Sequence, residues 1–350
     1  VIQSGLLFIA ISSLAACLLA LTTGSLTPAI SVMSLVIAAL YCVWDGRSRS
    51  LKLQSPPTTL LVKILYGLIL GGIYAHSVFL FYLKDSGQYW IQNVSNLGDL
   101  SFHWGVIRNL AKGASFWPEN PIFLGHRFRY PFGMDLFNAL FENLGVSIST
   151  HLPLVTLATL VLTMVALHMA GGPLLVFAIF FSAGFYNFLR PGIWELYQLQ
   201  EGLDFKNIFL TVLITQRGFV YALPAGLWVY AALKKSFADG WKPKMLDKVS
   251  LGLIWGAMGF FHLHSYFLVS LYLGVLILWK KEFRTWIVTL AVAFLVGLPF
   301  VVNALIPEEG MNSLIHFSRG WNRSADVNYI FYWLKNIGPW LVAVVGALVI

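Results

Sequence analysis

Apolar runs long enough to cross a hydrocarbon core of about 30 Å recur at residues 5–22, 28–44, 60–83, 152–170, 173–189, 218–234, 264–280 and 285–305, and another begins at 336. Residues 249–263 are short for a span, but the runs on either side require a crossing there. The pattern predicts an all-α fold, a polytopic transmembrane bundle of about ten helices. It is interrupted by one long polar insertion, with Gly98 to Phe132 at its centre. A helix beginning near Gly98 puts Asp99 and His103, four apart, on one face, beside an apolar stripe of Val106, Ile107 and Leu110. That is the pattern of a helix lying against a membrane. Phe116 to Pro121 must be extended or turning, because Pro118 and Pro121 disfavour helix in the residues before them. Residues 130–145 are too polar for a span, with Asp135, Asn138, Glu142 and Asn143, yet Phe132, Leu136, Phe137, Leu140, Phe141 and Leu144 give them a helical apolar stripe. They read as an interfacial helix. Residues 208–214 are apolar but too short to cross and are expected in the same interface.

Composition agrees with this class. Hydrophobic residues are 58% of the chain, charged residues 11%, and the mean hydropathy is +0.75, values that exclude an ordinary soluble domain. The tryptophans and tyrosines suit interfacial belts as well as packing between helices. A formal charge of +8 would fit nucleic acid, but no basic run with interleaved aromatics projects from a soluble domain, so nucleic acid is excluded as a partner. Cys17 and Cys42 both fall in expected helices and read as packing residues rather than a disulfide or thiolate site. The first run lacks a basic leader region and reads as a retained helix, and the run from 336 is expected to continue past Ile350.

The charge is better read as topogenic. Arg47, Arg49, Lys52 and Lys63 flank one connection, Lys234, Lys235, Lys242, Lys244 and Lys248 a second, and Lys280, Lys281 and Arg284 a third. Simple alternation makes all three cytoplasmic. The 84–151 and 190–217 loops, the turn at Phe261 to His264 and the 306–335 loop then share the extracytoplasmic side, with nearly every candidate for chemistry. Residues 45–59, with Ser55-Pro56-Pro57, are the most linker-like stretch. They divide an accessory N-terminal helix pair and cytoplasmic linker (1–59) from the remaining module (60–350).

Asp99 leads the candidates, although a carboxylate at a helix start is also an N-cap. His103 is either its catalytic companion or an interfacial hydrogen-bonding residue. Gly125 to Pro131 gathers His126, Arg127, Arg129 and Tyr130, paired guanidiniums that suit an anionic, lipid-linked substrate. Gln216 and Arg217 stand at the mouth of a helix containing Tyr221 and Pro224, where Arg217 is either an interfacial anchor or a phosphate clamp. His262 and His264 point the same way if their turn is extended, and with Asp99 or His103 they would begin a metal site. Arg190 and Glu195 read as structural, and Arg319, Trp321 and Arg323 as solvated loop residues. No phosphate-binding or dinucleotide glycine motif is present.

The run Asp99-x-x-x-His103, then Pro118-Glu119-Asn120-Pro121, Gly125-His126 and Arg129-Tyr130-Pro131-Phe132, resembles the first extracytoplasmic loop of polytopic glycosyltransferases of the GT-C fold. Thr215 to Gly218 before a Pro224-containing helix, and His262-x-His264, are similar to positions in prokaryotic members. The resemblance covers roughly residues 60–350 and is poor for the substrate. It implies transfer of a sugar from a polyprenyl-phosphate carrier to a glycan, lipid or protein acceptor at the outer face. Asp99 would serve as base or acceptor organiser, with His103 beside it, and Arg127, Arg129, Tyr130, Gln216, Arg217, His262 and His264 would bind substrate. Members often carry a pair of acids where this chain has Gly98-Asp99, so a divalent metal is possible but not required. Two other classes compete: a transporter or flippase for a polar or lipid-linked solute, and a membrane scaffold without chemistry.

Overall fold

The structure, a computed structural model, describes residues 1–81, 83–85, 88–90, 94–123, 125–180, 216–306, 323–324 and 326–337. Among them are eleven helices: α1 (Ile2–Thr23), α2 (Pro28–Ser48), α3 (Leu60–Phe81), α4 (Val94–Ala111), α5 (Gly133–Asn143), α6 (Ile148–Phe180), α7 (Phe219–Asp239), α8 (Met245–Phe261), α9 (Leu263–Trp279), α10 (Phe283–Leu305) and α11 (Tyr329–Ile337). The all-α expectation meets one small exception, β1 (Leu83–Asp85) paired antiparallel with β2 (Gln88–Trp90). Four helices are long and apolar enough to cross a membrane, Ile2–Thr23, Pro28–Ser48, Ile148–Ile179 and Phe283–Leu305, and Leu60–Ala75 and Leu263–Trp279 are shorter apolar helices. The run expected at 173–189 is described only as far as 180. Arg190, Glu195, residues 208–214, Arg319, Trp321 and the continuation beyond 337 lie outside the described residues.

Local chemistry sets the helix ends. Thr27 Oγ1 accepts from Ile30 N–H at 3.3 Å and Pro28 opens α2, a standard N-terminal pairing. Between the runs expected at 152–170 and 173–189 the helical path of α6 is broken at Gly172 (φ 70, ψ −165), a backbone conformation that glycine tolerates and the following Pro173 reinforces, so its described residues form two helical stretches. Lys234 Nζ donates to the Ala170 carbonyl at 3.3 Å, beside that break. A carbonyl freed at a helix break needs such a partner.

Close packing then orders the bundle. Along the α8–α10 seam, a Cβ at Gly256 would lie 2.7 Å from the Ala293 carbonyl oxygen, and one at Gly252 would lie 2.7 Å from Val292 Cβ. Glycines let the two backbones approach as far as helices can. Of the N-terminal pair, α1 is built into the bundle. α1 packs against α2, α5, α6, α7 and α8, with Leu6, Leu7, Ala10, Ala16 and Ala20 fully buried.

Two further expectations change. α4 begins at Val94, so Asp99 sits within the helix rather than at its cap. α5 is not interfacial: every residue from Gly133 to Leu140 is buried, polar ones included. Its polar face found partners inside the protein, so it needs no headgroup layer.

The basic loops gather at one end of the bundle. There Asp247 accepts from Ser50 N–H (2.9 Å), Leu51 N–H (3.3 Å), Lys244 N–H (3.0 Å) and the Ser50 hydroxyl, joining the α2–α3 linker to the start of α8. Asp45 accepts from Gln3 Nε2 at 2.9 Å and Ser250 Oγ at 2.7 Å, with Arg49 Nε 3.4 Å away. Asp45, Asp247 and Gln3 are fully buried.

Candidate functional site

The opposite end carries a second buried polar cluster, built around α5. Asp135, Asn138 and Glu142 fall at i, i+3 and i+7, one face of a helix. Both oxygens of Asp135 lie within 3.0 Å of His103 Nδ1 on α4, and both residues are buried. This contact commits Nδ1 to the carboxylate, so proton exchange at the ring must run through Nε2. Asn138 donates through Nδ2 to the Met134 carbonyl at 2.8 Å, which fixes its amide so that Oδ1 accepts from His151 Nδ1–H at 3.0 Å. Since His151 Nε2 faces Glu142 Oε2 at 3.2 Å, that pair must share one further proton. Arg108 Nε lies 3.5 Å from Glu142 Oε1 on the outer side of the same carboxylate.

Arg217 enters from the start of α7. It is 1% exposed, and its Nη1 donates to Thr156 Oγ1 on α6 at 3.1 Å. Burial pulls its pKa down to about 10, with Asp135 opposing the shift, so the guanidinium stays charged at neutral pH. Gly218 explains how it is held: a Cβ there would fall 1.7 Å from the Phe261 carbonyl oxygen. Gly133, at the start of α5, seats on the same corner, where an added Cβ would lie 3.0 Å from the Phe261 ring. Phe132 and Phe260 meet edge to face at 4.9 Å, tying Arg217 and Asp135 to the α8–α9 corner.

Asp99 lies at the margin of this cluster, half-buried, and no hydrogen bond from a described residue reaches its carboxylate. Burial raises its pKa, and the nearby His103 opposes the rise. Tyr130 stacks edge-on to His103 with ring centroids 5.7 Å apart. Its pKa is pushed up to about 12 by burial and by the negative charges of Asp135 and Asp99, although the residue as a whole is 38% exposed. Thus Asp99, His103, Tyr130 and Arg217 share one neighbourhood with Asp135.

Other sequence candidates go elsewhere. Arg129 donates to the carbonyls of Ala304 (2.7 Å) and Asn303 (3.4 Å), capping the C-terminal turn of α10. Arg127 is exposed and lies 5.4 Å from the Trp117 ring centroid. The Gln216 carbonyl accepts from Phe219 N–H at 2.9 Å and opens α7. His262 Nδ1 accepts from Ser265 N–H at 3.3 Å and lies 2.8 Å from its hydroxyl, serving as the α9 N-cap. Burial, and then His264, lower its pKa to about 4, which keeps the ring neutral and able to accept. His264 is exposed, its ring 5.8 Å from that of His262. Among the described residues no three His, Cys, Asp or Glu side chains are grouped to hold an ion.

Sequence reasoning missed Asp135, Asn138, Glu142 and His151 as a working set. The signal was present in the i, i+3, i+7 spacing, but the same spacing describes the wet face of an interfacial helix. Only the partners on α4 and α6 separate the two.

No family model matches the chain, and no characterised protein or solved structure matches it either.

Proposed function

We propose that the chain is a multi-pass membrane glycosyltransferase that moves a sugar from a polyprenyl-phosphate carrier to an acceptor at the extracytoplasmic face. The observation carrying this reading is the half-buried Asp99 beside the buried His103–Asp135 pair and Arg217. A base that attacks through an acceptor hydroxyl works best with a pKa nearer the working pH, and burial moves Asp99 in that direction. His103 would organise the acceptor through Nε2, Tyr130 would remain a protonated hydrogen-bond donor, and the Arg217 charge would favour phosphate developing at the leaving carrier. Carbon–oxygen bond formation to the acceptor releases polyprenyl phosphate, and the hydroxyl proton passes to Asp99. Charge supports this face: the lysine- and arginine-rich short loops lie at the other end, as the positive-inside rule expects of a cytoplasmic side.

The test is transfer by the full chain in proteoliposomes containing polyprenyl-phosphate sugars, read as loss of sugar from the carrier. Wild type should consume donor, and Asp99→Asn should reduce the rate by about 10²–10⁴-fold. An Asp99→Asn protein as active as wild type would remove Asp99 as the base, and wild type inert on every lipid-linked donor would sink the reading. A transporter is disfavoured because, among the described residues, Asp, Glu, Lys, Arg and His collect at the two ends and leave α1, α7, α8, α9 and α10 free of them midway. Solute flux without an acceptor would reverse that preference.

A further inference from the structure

The segment from Phe116 to Arg129 takes no part in the Asp135 cluster, yet it is firmly built. Glu119 and Arg127 face each other across an antiparallel bridge. Asn120 N–H donates to the His126 carbonyl at 2.8 Å, and Phe128 N–H to the Pro118 carbonyl at 3.0 Å. Trp117 Nε1 and Asn303 Nδ2 both donate to the Phe128 carbonyl, at 2.7 and 3.2 Å, fastening the base to α10. At the tip, Asn120 Oδ1 accepts from Ile122 N–H and Phe123 N–H, at 2.9 and 3.2 Å, and turns the chain. Despite this order, Ile122 and Phe123 are 63% and 65% exposed. Large apolar side chains fixed outward on a structured hairpin mark a surface that something apolar covers.

Position identifies the cover. Trp117 lines one part of a lateral apolar groove of about 450 Å³ whose walls include Leu18 and Leu21 of α1 and Leu295 and Phe300 of α10. Leu18, Leu21 and Leu295, together with Leu305 and Ile306 at the α10 terminus, are exposed. The hairpin therefore rises from the outward, apolar flank of the bundle rather than over its axis. From Arg127 to the tip is four or five residues, at most about 18 Å of extended chain, so the tip stays near the polar zone that flanks a hydrocarbon core. Arg127, exposed beside the tip, supplies a cation at that level.

We propose that this hairpin is a membrane foot: Ile122 and Phe123 occupy the headgroup–acyl boundary of the adjacent leaflet, and Arg127, backed by Trp117, meets lipid phosphate. The inference rests on the membrane-spanning part of the reading above and not on its chemistry. It is tested with a nitroxide on Phe123→Cys in the full chain, in a background where Cys17→Ala and Cys42→Ser remove the native thiols. The chain is reconstituted into bilayers with and without phosphatidylglycerol. Relaxation by oxygen against a water-soluble nickel chelate reads immersion, and a nitroxide on Leu295→Cys is the reference for the hydrocarbon core. The foot predicts immersion at both positions, shallower at 123, with Arg127→Ala raising nickel access at 123 by up to about fivefold in the anionic bilayer. Nickel access at 123 equal to that of a water-exposed site, with 295 immersed, would overturn the foot alone. Protection from both reagents at 123 would also overturn it, placing protein over the tip. Nickel access at 295 would overturn the membrane reading, and the foot with it.

Discussion

The two ends of the bundle both bury carboxylates, but they treat them differently. At the basic end, Asp247 is surrounded by backbone N–H groups and a serine hydroxyl, donors that hold their protons at any physiological pH. At the other end, Asp135 and Glu142 face histidines and lie near arginines, and Asp99 has no described hydrogen-bond donor at all. The first arrangement locks elements together. The second leaves protons and charge able to move, at the stability cost that buried titratable groups carry. Burial alone therefore does not separate a structural acid from a chemical one; the nature of its donors does.

The largest expected effect tests that contrast directly. Asp99→Asn should remove transfer while leaving thermal stability unchanged or slightly higher at neutral pH. Burial raises the folded-state pKa of Asp99, so the fold favours its protonated form and ionisation above that pKa costs stability that asparagine does not pay. By the same sign, wild-type activity should rise with pH through a midpoint above the ordinary carboxylate range. A melting temperature that falls together with the rate would make Asp99 structural.

Asp135→Asn is the variant best placed to blur the comparison. It removes the countercharge near buried Arg217 and replaces the carboxylate that orients His103 with a neutral amide, and should cost about 3 kcal/mol as well as activity. Restoring stability with low temperature or stabilising lipid should leave the rate depressed; full recovery of rate would reduce the residue to a packing role. Asp247→Ala should do the opposite. It orphans three backbone donors and the Ser50 hydroxyl, and should lower stability by about 2–3 kcal/mol in thermal unfolding, with the turnover of the surviving folded protein unchanged. The smallest effect concerns His262. The unfolded chain takes up its proton near 6.5 and the folded ring only near 4, so stability is full above about 6.5 and declines as pH falls toward 4. His262→Asn keeps an N-cap acceptor without a proton to gain. Its melting temperature should depend less on pH across that window than wild type's, and parallel curves would show that the cap is not titrating.

Much of the fold was legible because apolar runs and their breaks are strong signals. The Gly172–Pro173 interruption, the turns near 240 and 262 and the clustering of lysine and arginine at one end all correspond to features of the bundle. The site was less legible. Asp99 and His103 were marked by spacing, and Arg217 by its place before α7, but an arginine's destination depends on tertiary neighbours. Arg129 and Arg217 look alike in the sequence, and one caps α10 while the other is enclosed beside Thr156 and Asp135. α5 was misread for a related reason: amphipathicity shows that two faces differ, not which solvent each one meets. The central place of α1 left no mark either, since a helix buried by protein and one facing lipid share the same composition.

The glycine seam between α8 and α10 bears on how this molecule tolerates change. α8 carries the Asp247 lock at one terminus and the Phe261 corner beneath Arg217 at the other, and its spacing from α10 is set at Gly252 and Gly256 by the absence of a side chain. A saturation scan should therefore find these silent, uncharged positions among the least permissive in the chain. A methyl group there would shift the rod on which both ends are mounted, so variants with every polar residue intact would still lose the alignment between them.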